Sequence, residues 1–360
     1  MKNKRKMLFP LCIMFLITIL YGIYNMINST NEVTTLFIVK DDNKYEITDK
    51  NGKNILRTHS HYHFIDRIYE DYARVMQFSK WGFINEKGIV QIPIKYDYVL
   101  DFSEGYAGIK KDGKWGFIDQ SGNIAIEPKY DWVSSFKNEV AVVSINNKHF
   151  FINKSGDKLY NKNYSFARNF SEGKALVYSE DTNTSFYIDK NGLPLFSVGS
   201  NKATDFIESR AIITYNDMDG NEKSKIIDEH NNVICDGLDY ITSFNNGRAF
   251  YGIREDENIK WGLIDTNGNK ITEAIFNNAN INSQSHYSVS ILNEQGEEKW
   301  GFINTFGEFV IEPEYDFAGE FYGDFATVSM ITPKGTKWGI IDSSENFVIE
   351  PKYDLIYPYK

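Results

Sequence analysis

The chain has 360 residues, with 49 acidic and 39 basic side chains and a formal charge of -10. That balance excludes a general electrostatic grip on nucleic acid, and the two cysteines exclude a disulfide framework or a zinc–cysteine site. Hydrophobic residues at 42% exclude a disordered chain, and aromatics at 15% point to an all-β, aromatic-rich array.

The chain opens on Lys2, Lys4, Arg5 and Lys6, and no charge follows from Met7 to Asn31. The strongly apolar part, residues 7–24, is longer than the ~7–15 residues of a secretory core and close to the ~20 that span a bilayer. Ile27-Asn28-Ser29 is a poor match to a small-residue cleavage site. Cys12 follows Phe9-Pro10-Leu11, with no small residue beside it, which argues against a lipid anchor. Residues 1–30 are therefore expected to be an uncleaved signal-anchor or transmembrane segment. The positive-inside rule then places the rest of the chain across the cell membrane, in the envelope. Cleavage, giving a secreted protein, is the alternative.

Next comes Thr58-His59-Ser60-His61-Tyr62-His63. On a strand His59, His61 and His63 share one face, and three neutral imidazoles suit zinc or copper. A solvated loop explains them as well, so no metal ligand is assigned.

From residue 35 onward the chain repeats. Lys80-Trp81-Gly82-Phe83-Ile84-Asn85 returns at Lys114–Asp119, Lys260–Asp265, Lys299–Asn304 and Lys337–Asp342. Weaker copies stand at Lys44–Asp49, His149–Asn153, Ser185–Asp189 and Lys225–Asp228. The residue before each Asp or Asn gives nine markers, with steps from 34 (Ile84 to Ile118) to 39 (Ile188 to Ile227). Periods in this range signal repeat architectures.

Residues 106–136 show one unit. Tyr106–Lys110 is a strand, and Asp112-Gly113 a hairpin turn that accepts positive φ. Lys114–Asp119 is the second strand, and Asp119 to Gly122 the next turn. Asn123–Glu127 is the third strand, ended by Pro128. Tyr130–Phe136 is a short fourth piece, followed in sister units by turns such as Ser103-Glu104-Gly105.

The repeated residues read as folding devices. Trp81, Trp115, Trp261, Trp300 and Trp338 are expected to fill the core between units, with the following Gly making room for the ring. Tyr96, Tyr130, Tyr315 and Tyr353 should pack and hydrogen-bond at a corner between units. The Asp or Asn after each Ile belongs to a turn. Asn216 to Glu222 resembles a calcium loop but lacks the Glu at the twelfth position, and it falls where each unit has its hairpin turn. Cys235 carries no sign of a nucleophile. Glu255, Asp256 and Glu257 read as a solvated turn.

Trp-Gly-Phe-Ile-Asp-x-x-Gly, then Ile-x-Pro-x-Tyr-Asp, then Phe-Ser-Glu-Gly-x-Ala resembles the WG-repeat family of bacterial repeat proteins over residues 35–358. The first unit and units four to six, roughly residues 149–250, depart from it by lacking Trp-Gly, and Pro93 sits one position early. The resemblance implies an architecture and little chemistry. Two domains result: the segment 1–30 and a β domain of about nine units over 35–358. Thr35–Val39 reads as the first strand of a unit and Tyr353–Tyr357 as the last piece of one. Pairing them closes a propeller-like ring and removes exposed edges. An open β-solenoid is the alternative.

Catalytic motifs are absent: there is no Gly-x-Ser-x-Gly, phosphate loop or His-Glu-x-x-His. No catalytic, cofactor-binding or metal residue is assigned, and no cofactor is expected. The expected function is a membrane-anchored, extracytoplasmic, non-catalytic binding or scaffold module. Its partners would be the membrane, through residues 7–24, and a protein or cell-wall polysaccharide. A cell-envelope hydrolase, needing an isolated carboxylate pair in a cleft, is the second reading, with Glu255 to Glu257 as one source.

Overall fold

The computed structural model describes residues 36–41, 44–56, 62–281 and 286–359, and every regular element among them is a β-strand. The strands form nine antiparallel sheets of three or four strands. In chain order the blades begin at Leu36, Phe64, Tyr98, Trp132, Phe166, Lys202, Tyr240, Asn278 and Phe317. The last strand, Leu355–Pro358, joins blade 1 by pairing antiparallel with Leu36–Asp41, Phe37 opposite Pro358 and Lys40 opposite Leu355. The ring is thus closed by the two ends of the described chain, as their offset predicts. The fold is a nine-bladed β-propeller, one blade beyond the usual four to eight.

Local chemistry builds each blade as read from the sequence. Asp112 and Gly113 take φ of 51° and 79° in the first hairpin of blade 3, the left-handed pair of a tight hairpin turn. At the second turn the Asp119 carboxylate accepts the amides of Ser121 and Asn123, each at 2.9 Å. Asn85 does the same with its amide oxygen.

Three details differ from the sequence reading. Pro128 does not end its strand, which runs Ile124–Tyr130. Trp115 pairs with Tyr130 and Phe117 with Ile126, so two steps on one strand face four on the edge strand. Pro128 lies in that bulge, where a missing ladder donor is tolerated. The Gly after Trp makes room for this bowed backbone, not for the Trp ring. A Cβ on Gly116 would stand 2.4 Å from the Ile126 carbonyl oxygen and 2.7 Å from Pro128 N. Gly82, Gly301 and Gly339 meet the same obstruction. Finally, the short fourth piece shrinks to Trp132–Val133 and pairs with the next unit, so each blade begins there.

The core lies between blades. Phe83, Ile92 and Tyr96 of blade 2 pack with Val99, Phe102, Ala107, Ile109 and Ile118 of blade 3. The deepest repeated position is two residues beyond Trp, held by Phe83, Phe117, Leu263, Phe302 and Ile340, all fully buried. Trp115 and Trp300 are buried at its margin, while Trp81, Trp261 and Trp338 are half-buried. Tyr96, Tyr130 and Tyr315 are buried and Tyr353 is half-buried against the core, in line with the packing role. Lys95, Lys129 and Lys352 lie over the rings of Tyr96, Tyr130 and Tyr353.

A second device fastens neighbouring blades. In blade 3, Glu104 and Gly105 have φ of 54° and 83°, and their adjacent amides form a nest that attracts an anion. The Glu70 carboxylate of blade 2 fills it, at 2.5 and 2.8 Å. Glu104 in turn holds the amides of Asn138 and Glu139, and Glu172 those of Glu208 and Ser209. Glu208 reaches Gly247 N. The preceding serine also crosses the seam, Ser103 donating to the Phe136 carbonyl and Ser171 to that of Phe206, each at 2.7 Å.

Residues 1–30, with the expected membrane segment, lie outside the described residues. Among the described residues no helix is long and apolar enough to cross a membrane.

Candidate binding surface

Cross-strand pairing aligns three side chains on each blade. In blade 3, Tyr98 pairs with Lys110, and Lys110 with Trp115. In blade 4 the row is Trp132, Ser144 and His149. In blade 5 it is Phe166, Tyr178 and Ser185. In blades 3, 4, 5 and 9 the first member of the row stands two residues after the buried Tyr of the preceding unit, and it is exposed. Tyr98 is 40% exposed, Trp132 44%, Phe166 44% and Phe317 38%.

These rings stack against the Trp-position rings on either side. Trp81 meets Tyr98 at 5.0 Å between centroids, and Tyr98 meets Trp115 at 5.9 Å. Phe64 extends this run to Trp81, and Tyr45 to Phe64. Trp132, His149 and Phe166 form a second run, and Trp300, Phe317 and Trp338 a third. The belt is interrupted around blade 6, where Ser185, Lys202 and Ser224 take the equivalent positions. Burial holds the His149 imidazole below its ordinary value, so it joins the belt as a neutral ring near neutral pH.

Charged groups frame the belt. At three of the five Trp units the Lys before the Trp pairs with the Asp before an exposed ring: Lys80 with Asp97 at 2.6 Å, Lys114 with Asp131 at 2.5 Å, and Lys299 with Asp316 at 2.6 Å. The second oxygen of Asp131 accepts Asn146 N of the first hairpin turn. The Lys80 and Lys114 ammoniums, hydrogen-bonded to Asp97 and Asp131, hold both carboxyls below the usual range. Arg74 lies between Asp66 and Asp101. Desolvation raises the Asp101 carboxyl despite that partner, and does the same at Asp205, which faces Arg168. Asp101 and Asp205 occupy one repeat position, so they are seam ion pairs.

Of the residues singled out in the sequence, His59 and His61 lie outside the described residues. His63 is exposed and stacks on Phe78. Asn216 and Glu222 face each other across a hairpin, with Asp217 accepting the amides of Asp219 and Asn221. Cys235 is half-buried, and desolvation raises its thiol, which leaves it a poor nucleophile. Glu255, Asp256 and Glu257 form an exposed hairpin tip. The exposed aromatic position was missed, although Tyr98, Trp132, Phe166, Tyr240 and Phe317 share one phase of the repeat.

The fold resembles several solved structures weakly. Dihydro-heme d1 dehydrogenase NirN in complex with DHE is 10% identical at TM-score 0.42, covering 91% of this chain and 74% of that one. The tricorn protease is 10% identical at TM-score 0.36, covering 86% and 42%. Virginiamycin B lyase from Staphylococcus aureus is 14% identical at TM-score 0.34, covering 62% and 92%. A search of curated protein sequences gave no match. The WG containing repeat model matches residues 81–115, 115–148, 150–181, 261–291, 300–330 and 338–360, just over half of the chain. The matched segments cover nearly all of blade 4, where Trp-Gly is lost, and the first two strands of blade 5, and the chain belongs to the WG containing repeat family.

Proposed function

We propose that the protein is a non-catalytic binding module, held at a cell membrane by residues 7–24, whose aromatic belt stacks on the sugar rings of an extracytoplasmic wall polysaccharide. The carrying observation is the exposure of Tyr98, Trp132 and Phe166, 34 residues apart (98, 132, 166), on successive blades. Aromatic faces take the apolar C–H face of a sugar, and exposed aromatic runs of this kind mark interaction sites. A repeating platform suits a repeating polymer. Lys110 and Tyr178, in register beside Tyr98 and Phe166, supply polar contacts to sugar hydroxyls.

The test is retention of the full-length protein on purified cell wall. Saturable retention is expected, weakened several-fold by Trp132→Ala with melting unchanged, and competed by soluble wall fragments. Retention untouched by Trp132→Ala combined with Phe166→Ala sinks the assignment. Capture of a protein in its place makes the module a scaffold, and release of shortened polymer makes it a hydrolase. Recovery in the soluble fraction after cell lysis defeats the anchor.

A further inference from the structure

Between blades 2 and 7 the carboxylate chain is broken at one seam, and a cavity of about 450 Å³ lies beside the break. At the seam of blades 4 and 5 the clasping position holds Asn138, and the serine position holds Lys137. Asn138 does not clasp. Its side-chain amide donates to the Phe170 carbonyl at 3.3 Å, the task serine performs at other seams. The nest it would fill, Glu172 and Gly173 with φ of 50° and 80°, is formed all the same. Its two amides have no acceptor among the described residues.

The surroundings favour an anion. Lys190 runs beside Gly173, its Cε 3.9 Å from where a Cβ would stand, and its ammonium has no carboxylate partner among the described residues. Lys154 lines the same cavity and is paired with Glu104 at 3.4 Å and with Glu139, also in the lining, at 3.7 Å, which leaves Lys190 as the free cation of the site among the described residues. Val140, in the cavity lining, occupies the position from which Arg210 and Arg248 cross to the next blade at two other seams. Tyr160 forms an aromatic wall and donates its hydroxyl to the Lys190 carbonyl at 2.6 Å.

We propose that this seam is a binding site for a carboxylate-bearing ligand, whose carboxylate takes the place of the missing glutamate on the amides of Glu172 and Gly173, with Lys190 as counter-charge and its body in the cavity beside Tyr160. The site is independent of the aromatic belt. Two adjacent amides match the two oxygens of a carboxylate, as Glu70 and Glu104 show at their seams.

The test uses full-length protein and ligand-observed saturation-transfer NMR with sodium D-glucuronate, and D-glucose as the neutral control. Saturable signal is expected for glucuronate and none for glucose. Asn138→Glu should fill the nest from within, since Asn138 already has the φ of 53° that Glu104 and Glu208 adopt at 54°. It should weaken glucuronate binding by at least about tenfold without lowering the melting temperature. Lys190→Gln, a change at the surface, should weaken binding while leaving melting unchanged. Absence of saturable glucuronate signal, equal signal from glucose, or full binding retained in Asn138→Glu each overturns the proposal.

Discussion

Blade 3 carries the full Trp-Gly pair, while blades 5 and 6 carry Ser185-Phe186 and Ser224-Lys225 in the same place, yet all three build four-stranded sheets. The difference lies in the edge strand. In blade 3 the step from Trp115 to Ile118 faces Tyr130 back to Ile124, three steps against six. In blade 5, Ser185 to Ile188 faces Gly199 back to Pro194, three against five. Blade 6 has the same count, Ser224 to Ile227 against Leu238 back to Val233. In blades 5 and 6 the loss of the glycine goes with a bulge one residue shorter, whereas blade 4, with Phe150 at the glycine site, keeps the longer one, His149 to Ile152 facing Tyr164 back to Lys158. What stays constant is the buried residue two positions beyond the Trp site: Phe117, Tyr187 and Ile226 are all fully buried.

That contrast makes the strongest prediction. Phe117→Ala should destabilise the fold by about 3–5 kcal/mol, and Ile226→Ala by about 2–5 kcal/mol, through cavities between blades. Denaturant unfolding measures both. If Ile226→Ala were near neutral while Phe117→Ala was costly, blades lacking Trp-Gly would owe their order to something other than this position.

A smaller effect separates the two bulge types. Gly116→Ala forces a Cβ against backbone that cannot rotate away, for a cost of about 1–3 kcal/mol. Lys225→Ala, at the equivalent site of blade 6, should stay within about 0.5 kcal/mol, since the shorter bulge there already accommodates a Cβ. Equal costs at the two sites would remove the bulge as the reason for the glycine.

Repeat length, hairpin turns and the offset of Leu36 from Leu355 made the closed ring legible, because each is a local or counting signal. Pro128 was misread because its local effect, loss of a donor, is cancelled by a bulge that only the three-dimensional register reveals. Trp115 does belong to the core between blades, as its size suggests, but depth in the seam is set by strand phase and the deepest place belongs to Phe117. The aromatic belt went unseen for a related reason. Tyr98 and Trp132 are separated in sequence from Trp81 and His149 and meet them only through sheet pairing or across a seam. The clasp by Glu104 was hidden more deeply, since its partners are backbone amides with no side-chain signature. Ser-Glu-Gly stands only at 103–105 and 171–173, and Lys137-Asn138-Glu139 and Asn245-Asn246-Gly247 both put Asn at its glutamate, so the triplet alone did not single out the seam of blades 4 and 5.

The smallest effect separates turns of identical geometry. Asp119 and Asn85 each accept amides two and four residues ahead, at 2.9 to 3.0 Å, but only Asp119 titrates. Backbone and side-chain hydrogen bonds, led by the Asn123 amide, hold the Asp119 carboxyl below its ordinary value, and Asp189, Asp228 and Asp342 are held low in the same kind of turn. A folded-state value below the unfolded one gives stability that is present above about pH 4 and is lost as pH falls through the folded value. Asp101 and Asp205 act in the opposite sense: burial raises them, so their contribution is present at low pH and is lost as pH rises through the folded value. The Asp119→Asn variant keeps the acceptor and drops the charge, as Asn85 does. Its melting temperature should sit slightly below wild type near neutrality, and the two should converge on acidification below about pH 4. A gap that stayed constant across that range would show that the Asp119 charge contributes nothing to the turn and that the choice between Asp and Asn is neutral.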